Sequence, residues 1–245
     1  MDKKTNSLQR AVAIVLCAGQ GTRVGSQVNK ILLPIEGEPL FIYAVRTFER
    51  CATVDEILLV AATGEQDRLT ELAYQAHCRK VRNVICGGKT RHASEQCALD
   101  FLRPRINAGE IDIILIHDGA RPLIQVEKVE KLVRKAREVG GAILAVPLQE
   151  EEHIVQVDGA QRIQRNFEGD GIAWKAQTPQ AFHAPLLLQA YDQAEQEQFQ
   201  GTDTASVLER TGCTIAIVED SSTNLKVTTA YDLFHAERLL RHYHS

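Results

Sequence analysis

Short apolar runs recur along the chain at 11–17 (AVAIVLC), 56–62 (EILLVAA), 82–86 (RNVIC), 111–117 (IDIILIH), 141–147 (GAILAVP) and 214–218 (TIAIV). Each is brief and nearly continuous, as expected of a strand buried on both faces. The segments between them carry apolar residues at helical spacing. In 125–139, Val126, Val129, Leu132, Val133 and Ala136 share one face, while Glu127, Lys128, Glu130, Lys131, Arg134 and Arg137 take the other, and Gly140 and Gly141 end the pattern. Strand and helix alternate in this way through Pro147, which predicts a mostly parallel sheet covered on both faces, with ligands at the carboxyl ends of its strands. The last segment, with Leu233, Ala236, Leu239 and Leu240 on one side, predicts a closing helix.

The alternation breaks after Pro147. Residues 148–171 hold only thin alternating pieces, Ile154, Val155, Val157 and Ile163, around Asp158-Gly159. This predicts a β-hairpin arm that leaves the body of the fold. A polar arm needs a surface to lie on, and a second copy of the chain is the expected one, giving a homodimer.

The sequence has 245 residues, of which 44% are hydrophobic, enough to bury a full core. With no repeat, linker or low-complexity tract, one domain spanning 1–245 is expected. A net charge of −4 argues against a nucleic-acid or acidic-membrane partner, since a phosphate polymer requires many cations on one face. The polar start "MDKKTNSLQR" and the brevity of the apolar run after it predict a cytoplasmic protein without a signal segment or membrane span. Six scattered cysteines show no C-x-x-C spacing, so buried free thiols are expected in place of a zinc site or a disulfide framework.

Candidate chemistry begins where the first apolar run ends. In "CAGQGTRVGSQVNK" the run delivers the chain to Ala18, Gly19 and Gly21, whose small side chains leave backbone N–H groups open. Such a loop is either an anion cradle or a tight turn. Arg23 and Lys30 flank it, and two cations beside a backbone nest suit a polyphosphate. The spacing is neither G-x-G-x-x-G nor a Walker A loop, and no acidic residue ends the second run, which removes a dinucleotide-binding dehydrogenase.

The stretch "CAGQGTRVGSQVNKILLPIEGEPL" resembles the signature loop of nucleotidyltransferases of the sugar-nucleotide type. "GGKTRHASEQCAL" (87–99), "IHDGARPLI" (116–124), "AQTPQAF" (176–182), "GTDTASVLERTG" (201–212) and "NLKVTTAYDL" (224–233) follow in order the motifs of the 2-C-methyl-D-erythritol 4-phosphate cytidylyltransferase family, with the related ribitol-5-phosphate enzymes. The resemblance spans about residues 11–240. It implies a Rossmann-like α/β nucleotidyltransferase domain in which an acceptor phosphate attacks the α-phosphorus of CTP, with Mg2+ on the phosphates.

By that resemblance Arg23, Lys30 and Lys226 are the catalytic cations. Ala18, Gly19, Gly21, Gly88, Ser94, Asp118 and Gly119 bind the nucleotide, and Asp118 also serves ribose or the metal. Arg121, Thr178, Thr202 and the position of Asp170 face the acceptor. Plainer readings stay open for several of them: a helix hydroxyl for Ser94, a turn for Asp118-Gly119, local turn hydroxyls for Thr178 and Thr202. The sequence departs from the family pattern at Asn29, where proline is usual, and at Lys89, where aspartate is frequent. It departs again at Glu151 and Asp170, which stand in place of a threonine and an arginine. Two carboxylates there would repel an anionic acceptor, so either Arg162 or Arg165 takes over from a shifted arm or the acceptor is a different one. Methylerythritol phosphate is the expected acceptor, with ribitol 5-phosphate or another phosphorylated polyol as the alternative; a nucleotide-binding regulator without turnover would have no use for the three cations.

Overall fold

The computed structural model describes residues 10–19, 29–148, 155–157, 163–166 and 173–243. The chain runs β1 (Arg10–Cys17), a single 3-10 turn (Lys30–Leu32), β2 (Pro34–Ile35), β3 (Glu38–Pro39), α1 (Leu40–Arg50), β4 (Glu56–Ala61), α2 (Gln66–Gln75), β5 (Val81–Cys86) and α3 (Arg91–Asn107). It continues through β6 (Ile111–Asp118), α4 (Val126–Val139), β7 (Gly141–Pro147), β8 (Val155–Val157), β9 (Ile163–Asn166), β10 (Trp174–His183), α5 (Ala184–Gln196), α6 (Thr204–Glu209), β11 (Ile215–Glu219) and α7 (Ala230–Tyr243).

Seven strands form one sheet in the order β11-β7-β10-β6-β1-β4-β5. β1 pairs parallel with both β4 and β6, β4 with β5, and β7 with β11. β10 lies antiparallel between β6 and β7. The six predicted strands are all present, and the mostly parallel sheet is as expected. β10 has no counterpart among the predicted strands, because polar Gln177, Thr178 and Gln180, with Pro179 among them, interrupt its apolar pattern. At those residues the strand bulges, with its register to β7 shifting between Ala176 and Gln180.

Side chains of β1 alternate between two cores. Ala11, Ala13, Val15 and Cys17 face α1, α2, α4 and α7, whereas Val12 and Ile14 face α3, α5 and α6. Val129, Leu132, Val133 and Ala136 of α4 are buried as its periodicity predicts, and Gly140, at φ 100°, ends the helix in a conformation that favours glycine. The closing helix buries Ala236 and Leu240. β8 and β9 pair antiparallel, as the expected arm requires; their Asp158-Gly159 turn lies outside the described residues.

Strand order determines where a site can form. From β1 the chain moves outward to β4 and β5, then returns through α3 to β6 on the other side of β1. The connections after β1 and β6 therefore part from each other and leave a crevice at the carboxyl ends of these two strands.

Candidate active site

A cavity of about 780 Å3 occupies that crevice. Ala18 and Gly19 after β1, Lys30, Gly88 after β5, Ser94 on α3, Asp118 at the end of β6 and Lys226 after β11 all line it. Four of the quoted stretches of sequence thus meet at one edge of the sheet.

Gly19 opens onto this space, with nothing within 4 Å of where a Cβ would sit. Gly88 is different: a Cβ there would lie 2.5 Å from that of Ala93, so only glycine lets the loop close onto the start of α3. Thr90 caps that helix by accepting from Ala93 N at 3.0 Å. The Ser94 hydroxyl lies 2.9 Å from the Thr90 carbonyl and accepts from Gly88 N at 3.2 Å. Ser94 thereby fixes the shape of the loop as well as lining the cavity.

Lys30 sits on the 3-10 turn, held in place by its neighbour. Asn29, buried, donates to Cys17 O at 2.9 Å and to Glu65 Oε2 at 2.7 Å, and its Oδ1 accepts from Ile31 N at 3.4 Å. These bonds moor the turn to the end of β1 and the start of α2, which is how this chain fixes the lysine without the usual proline.

Asp118 is the electrostatic centre. Lys226 Nζ lies 2.7 Å from its Oδ2, Arg91 Nε 3.4 Å from its Oδ1, and Arg121 Nε 3.8 Å from Oδ2. Burial alone would raise the carboxyl; Lys226, then Arg91 and Arg121, outweigh it and hold Asp118 well below the usual carboxylate range. The segment that carries Lys226 is pinned to the same turn, since Val227 N donates to Ala120 O at 2.8 Å and Arg121 donates to Asn224 O at 2.7 Å.

Behind Asp118, the β10 bulge supplies a polar floor. Asp118 N donates to Thr178 Oγ1 at 3.1 Å, and Thr178 Oγ1 lies 3.1 Å from His117 Nδ1. His117 Nε2 is 3.1 Å from Arg121 O. A carbonyl only accepts, so Nε2 carries the proton and Nδ1 receives the threonine hydroxyl. Burial pushes the His117 pKa down to about 4, so the ring is neutral and serves as a structural link.

The remaining predicted residues fall as follows. Gly119 does not line the cavity: its N–H donates to Leu16 O at 3.0 Å, and a Cβ would meet Cys17 Sγ at 2.9 Å, so the glycine serves the close approach of β6 to β1. Arg121 and Thr178 are buried behind Asp118. Thr202 is exposed; Thr204, two residues on, is the buried threonine of that motif. Gly21, Arg23, Glu151 and Asp170 lie outside the described residues. Arg91, Glu95, Gln177 and Asn224 were not singled out in the sequence, although each sits within a quoted motif or beside one. An Arg-Glu pair four apart in a helix reads as a solvated surface pair until its burial is seen.

The family model for 2-C-methyl-D-erythritol 4-phosphate cytidylyltransferase matches residues 11–242. The chain is 37% identical to the protein of that name from Shouchella clausii over 229 residues, covering 94% of this chain and 96% of the relative. It is 36% identical to the one from Bacillus velezensis over 231 residues, covering 94% and 95%. Among solved structures, the Francisella tularensis 2-C-methyl-D-erythritol 4-phosphate cytidylyltransferase superposes with a TM-score of 0.78 at 26% identity, covering 94% of this chain and 99% of that one. A 4-diphosphocytidyl-2C-methyl-D-erythritol synthase from Anaerococcus prevotii shares the fold with a TM-score of 0.79 at 24% identity, covering 95% and 96%.

Proposed function

The chain belongs to the 2-C-methyl-D-erythritol 4-phosphate cytidylyltransferase family, and from that premise we propose that its cavity takes CTP and a phosphorylated polyol, methylerythritol phosphate foremost, and joins them in the supply of isoprenoid precursors. A phosphate oxygen of the acceptor attacks the α-phosphorus of CTP, the bond to the bridging oxygen breaks, and pyrophosphate leaves. The observation that carries this reading is the anionic Asp118 beside Lys226 in a cavity that also holds Lys30. A phosphate monoester is already a nucleophilic anion, so the protein has to align the reactants and stabilise charge more than move protons. Lys226 lines the cavity beside Asp118, suited to neutralise the meeting phosphates. Lys30, with Arg23 seven residues before it in the sequence, compensates the triphosphate and the charge that grows on its leaving oxygens.

Gly19 leaves room for phosphate beside its backbone, and Gly88 with Ser94 presents main-chain groups to the base. Arg121 and Thr178 support the acceptor side through Asp118 and Lys226. Hydrogen-bonding capacity remains there, for among the described residues Arg121 Nε, Gln177 Oε1 and Asn224 Oδ1 are buried polar atoms that make no hydrogen bond. Asp118 is a fitting ligand for Mg2+, which rests on one or two carboxylates plus phosphate oxygens and needs no cage of protein ligands; among the described residues no group of three or more His, Cys, Asp or Glu forms one. When bound, the ion would withdraw charge from the phosphates.

A homodimer through the β8–β9 arm and a cytoplasmic setting complete the reading. All six cysteines are free, which suits a reducing compartment, and among the described residues no helix is long and apolar enough to cross a membrane. Glu151 and Asp170 favour a second reading, in which the acceptor is a different phosphorylated polyol.

Pyrophosphate release measured with CTP, UTP, ATP and GTP, each with methylerythritol phosphate and with ribitol 5-phosphate, tests the assignment. Turnover specific to CTP is expected, with methylerythritol phosphate the better acceptor. Comparable release with ATP would defeat the nucleotide assignment, and a preference for ribitol phosphate would establish the second reading.

A further inference from the structure

On the face of the sheet covered by α3, α5 and α6, one carboxylate is enclosed almost completely. Glu95 is 1% exposed, and both its oxygens are occupied. Oε1 lies 2.5 Å from Arg91 NH1 and accepts from Thr204 Oγ1 at 2.9 Å, while Oε2 accepts from the Tyr191 hydroxyl. Arg91 in turn reaches the cavity wall, where its Nε approaches Asp118 Oδ1 at 3.4 Å. The links run from Tyr191 through Glu95 to Arg91 and from there to Asp118, while Thr204 Oγ1, bonded to Glu95, also accepts from Arg91 NH1 and NH2 at 3.4 Å each.

An exposed Arg-Glu pair at this helical spacing contributes little. A buried carboxylate is another matter, since its desolvation costs several kcal/mol unless partners compensate it. An apolar side chain at 95 would close the contact between α3 and α5 without that cost. What the carboxylate adds is direction: a guanidinium is a rigid plane, and fixing NH1 at Glu95 and Nε at Asp118 sets its orientation against the cavity.

We infer that Glu95 is a positioning residue, which acts through Arg91 to hold the Asp118 side of the cavity in the geometry that binds CTP. This rests on the assignment of the cavity to CTP. Its effect belongs to nucleotide affinity, because Glu95 itself does not line the cavity.

Glu95→Gln tests it: the amide keeps the shape and can still accept from Thr204 or Tyr191, but loses the charge facing Arg91. The variant should raise both the KM for CTP and the Kd from calorimetry in the absence of acceptor by about tenfold, with kcat changed by less than about threefold. Tyr191→Phe, which removes a bond to Glu95 and leaves Arg91 its partner, should lower Tm yet leave CTP affinity within about twofold. In an Arg91→Gln background, adding Glu95→Gln should change affinity no further. The inference is overturned if Glu95→Gln binds CTP like the wild type, if its effect persists without Arg91, or if Tyr191→Phe loses as much affinity. Should Glu95→Gln fail to fold, Glu95→Asp, which withdraws the charge by one methylene, reads the same coupling. If the wild type bound no CTP, the nucleotide assignment would fall by itself. The 15N signal of Arg91 Nε–H would still decide the positioning role, being protected in the wild type and lost in Glu95→Gln; a signal unchanged by the substitution would refute it.

Discussion

His117 shows how one residue's surroundings set its part. It stands in "IHDGARP", at the end of a strand and beside an aspartate, in chemistry that needs no acid or base; the ring is enclosed, packed edge-on against Phe48 with centroids 5.4 Å apart, and bonded at both nitrogens. Its native pKa near 4 lies below the ordinary 6.5. Between those values the unfolded chain binds a proton that the native protein refuses, so stability falls on acidification through that window, by up to roughly 3 kcal/mol. Urea unfolding of the wild type should therefore weaken from pH 7 to pH 5 more steeply than that of His117→Asn, and equal slopes would contradict the assignment. Lys30 and Asp118 were legible beside glycine motifs that line a strand's end, whereas Lys226, with no glycine near it, was legible only through the likeness of "NLKVT" to the family's motif. Arg91 and Glu95 were not, since their significance lies in burial, and periodicity does not report the burial of a charged pair. Thr202 and Thr204 are alike in the same way: two threonines in one motif are distinguished only by which one the fold encloses, here Thr204.

Among the elements, the parallel strands announced themselves as apolar runs, and the helices between them through their apolar faces. β10 did not, because at its middle the strand gives up pairing to present Gln177 and Thr178 to the floor of the site. That bulge is tied to the loop after β11 by Asn224, whose amide donates to Thr178 O at 2.9 Å and to Asp220 Oδ2 at 2.8 Å. Lys226 lies two residues further along the same loop. Asn224→Ala would leave a buried carbonyl and a buried carboxylate each short of a donor, at a cost of about 2 kcal/mol. Thermal unfolding should then drop by roughly 4–8 °C for a chain of this size. If the knot also positions Lys226, kcat falls with it while the KM for CTP holds; a variant that loses stability but keeps full turnover would show that the loop holds its lysine by other means.

For the molecule as a whole, the order of strands does what no single motif does. It places the ends of β1 and β6 at the point where the connections diverge, and brings Gly19, Lys30, Gly88, Asp118 and Lys226 together from across the chain. The order of motifs in the sequence already pointed to cytidylyl transfer, whereas the arrangement of cations around Asp118 needed the fold. The most direct test is to follow CTP and methylerythritol phosphate by 31P spectroscopy with the purified protein and with Lys226→Ala. The wild type should convert them one for one into a cytidine diphosphate ester of the polyol and pyrophosphate, and the variant should form the same product more slowly by about a hundredfold, the cost of losing one preorganised charge at the reacting phosphates. A wild type that leaves both reactants unchanged, or a Lys226→Ala variant as fast as the wild type, would contradict the account.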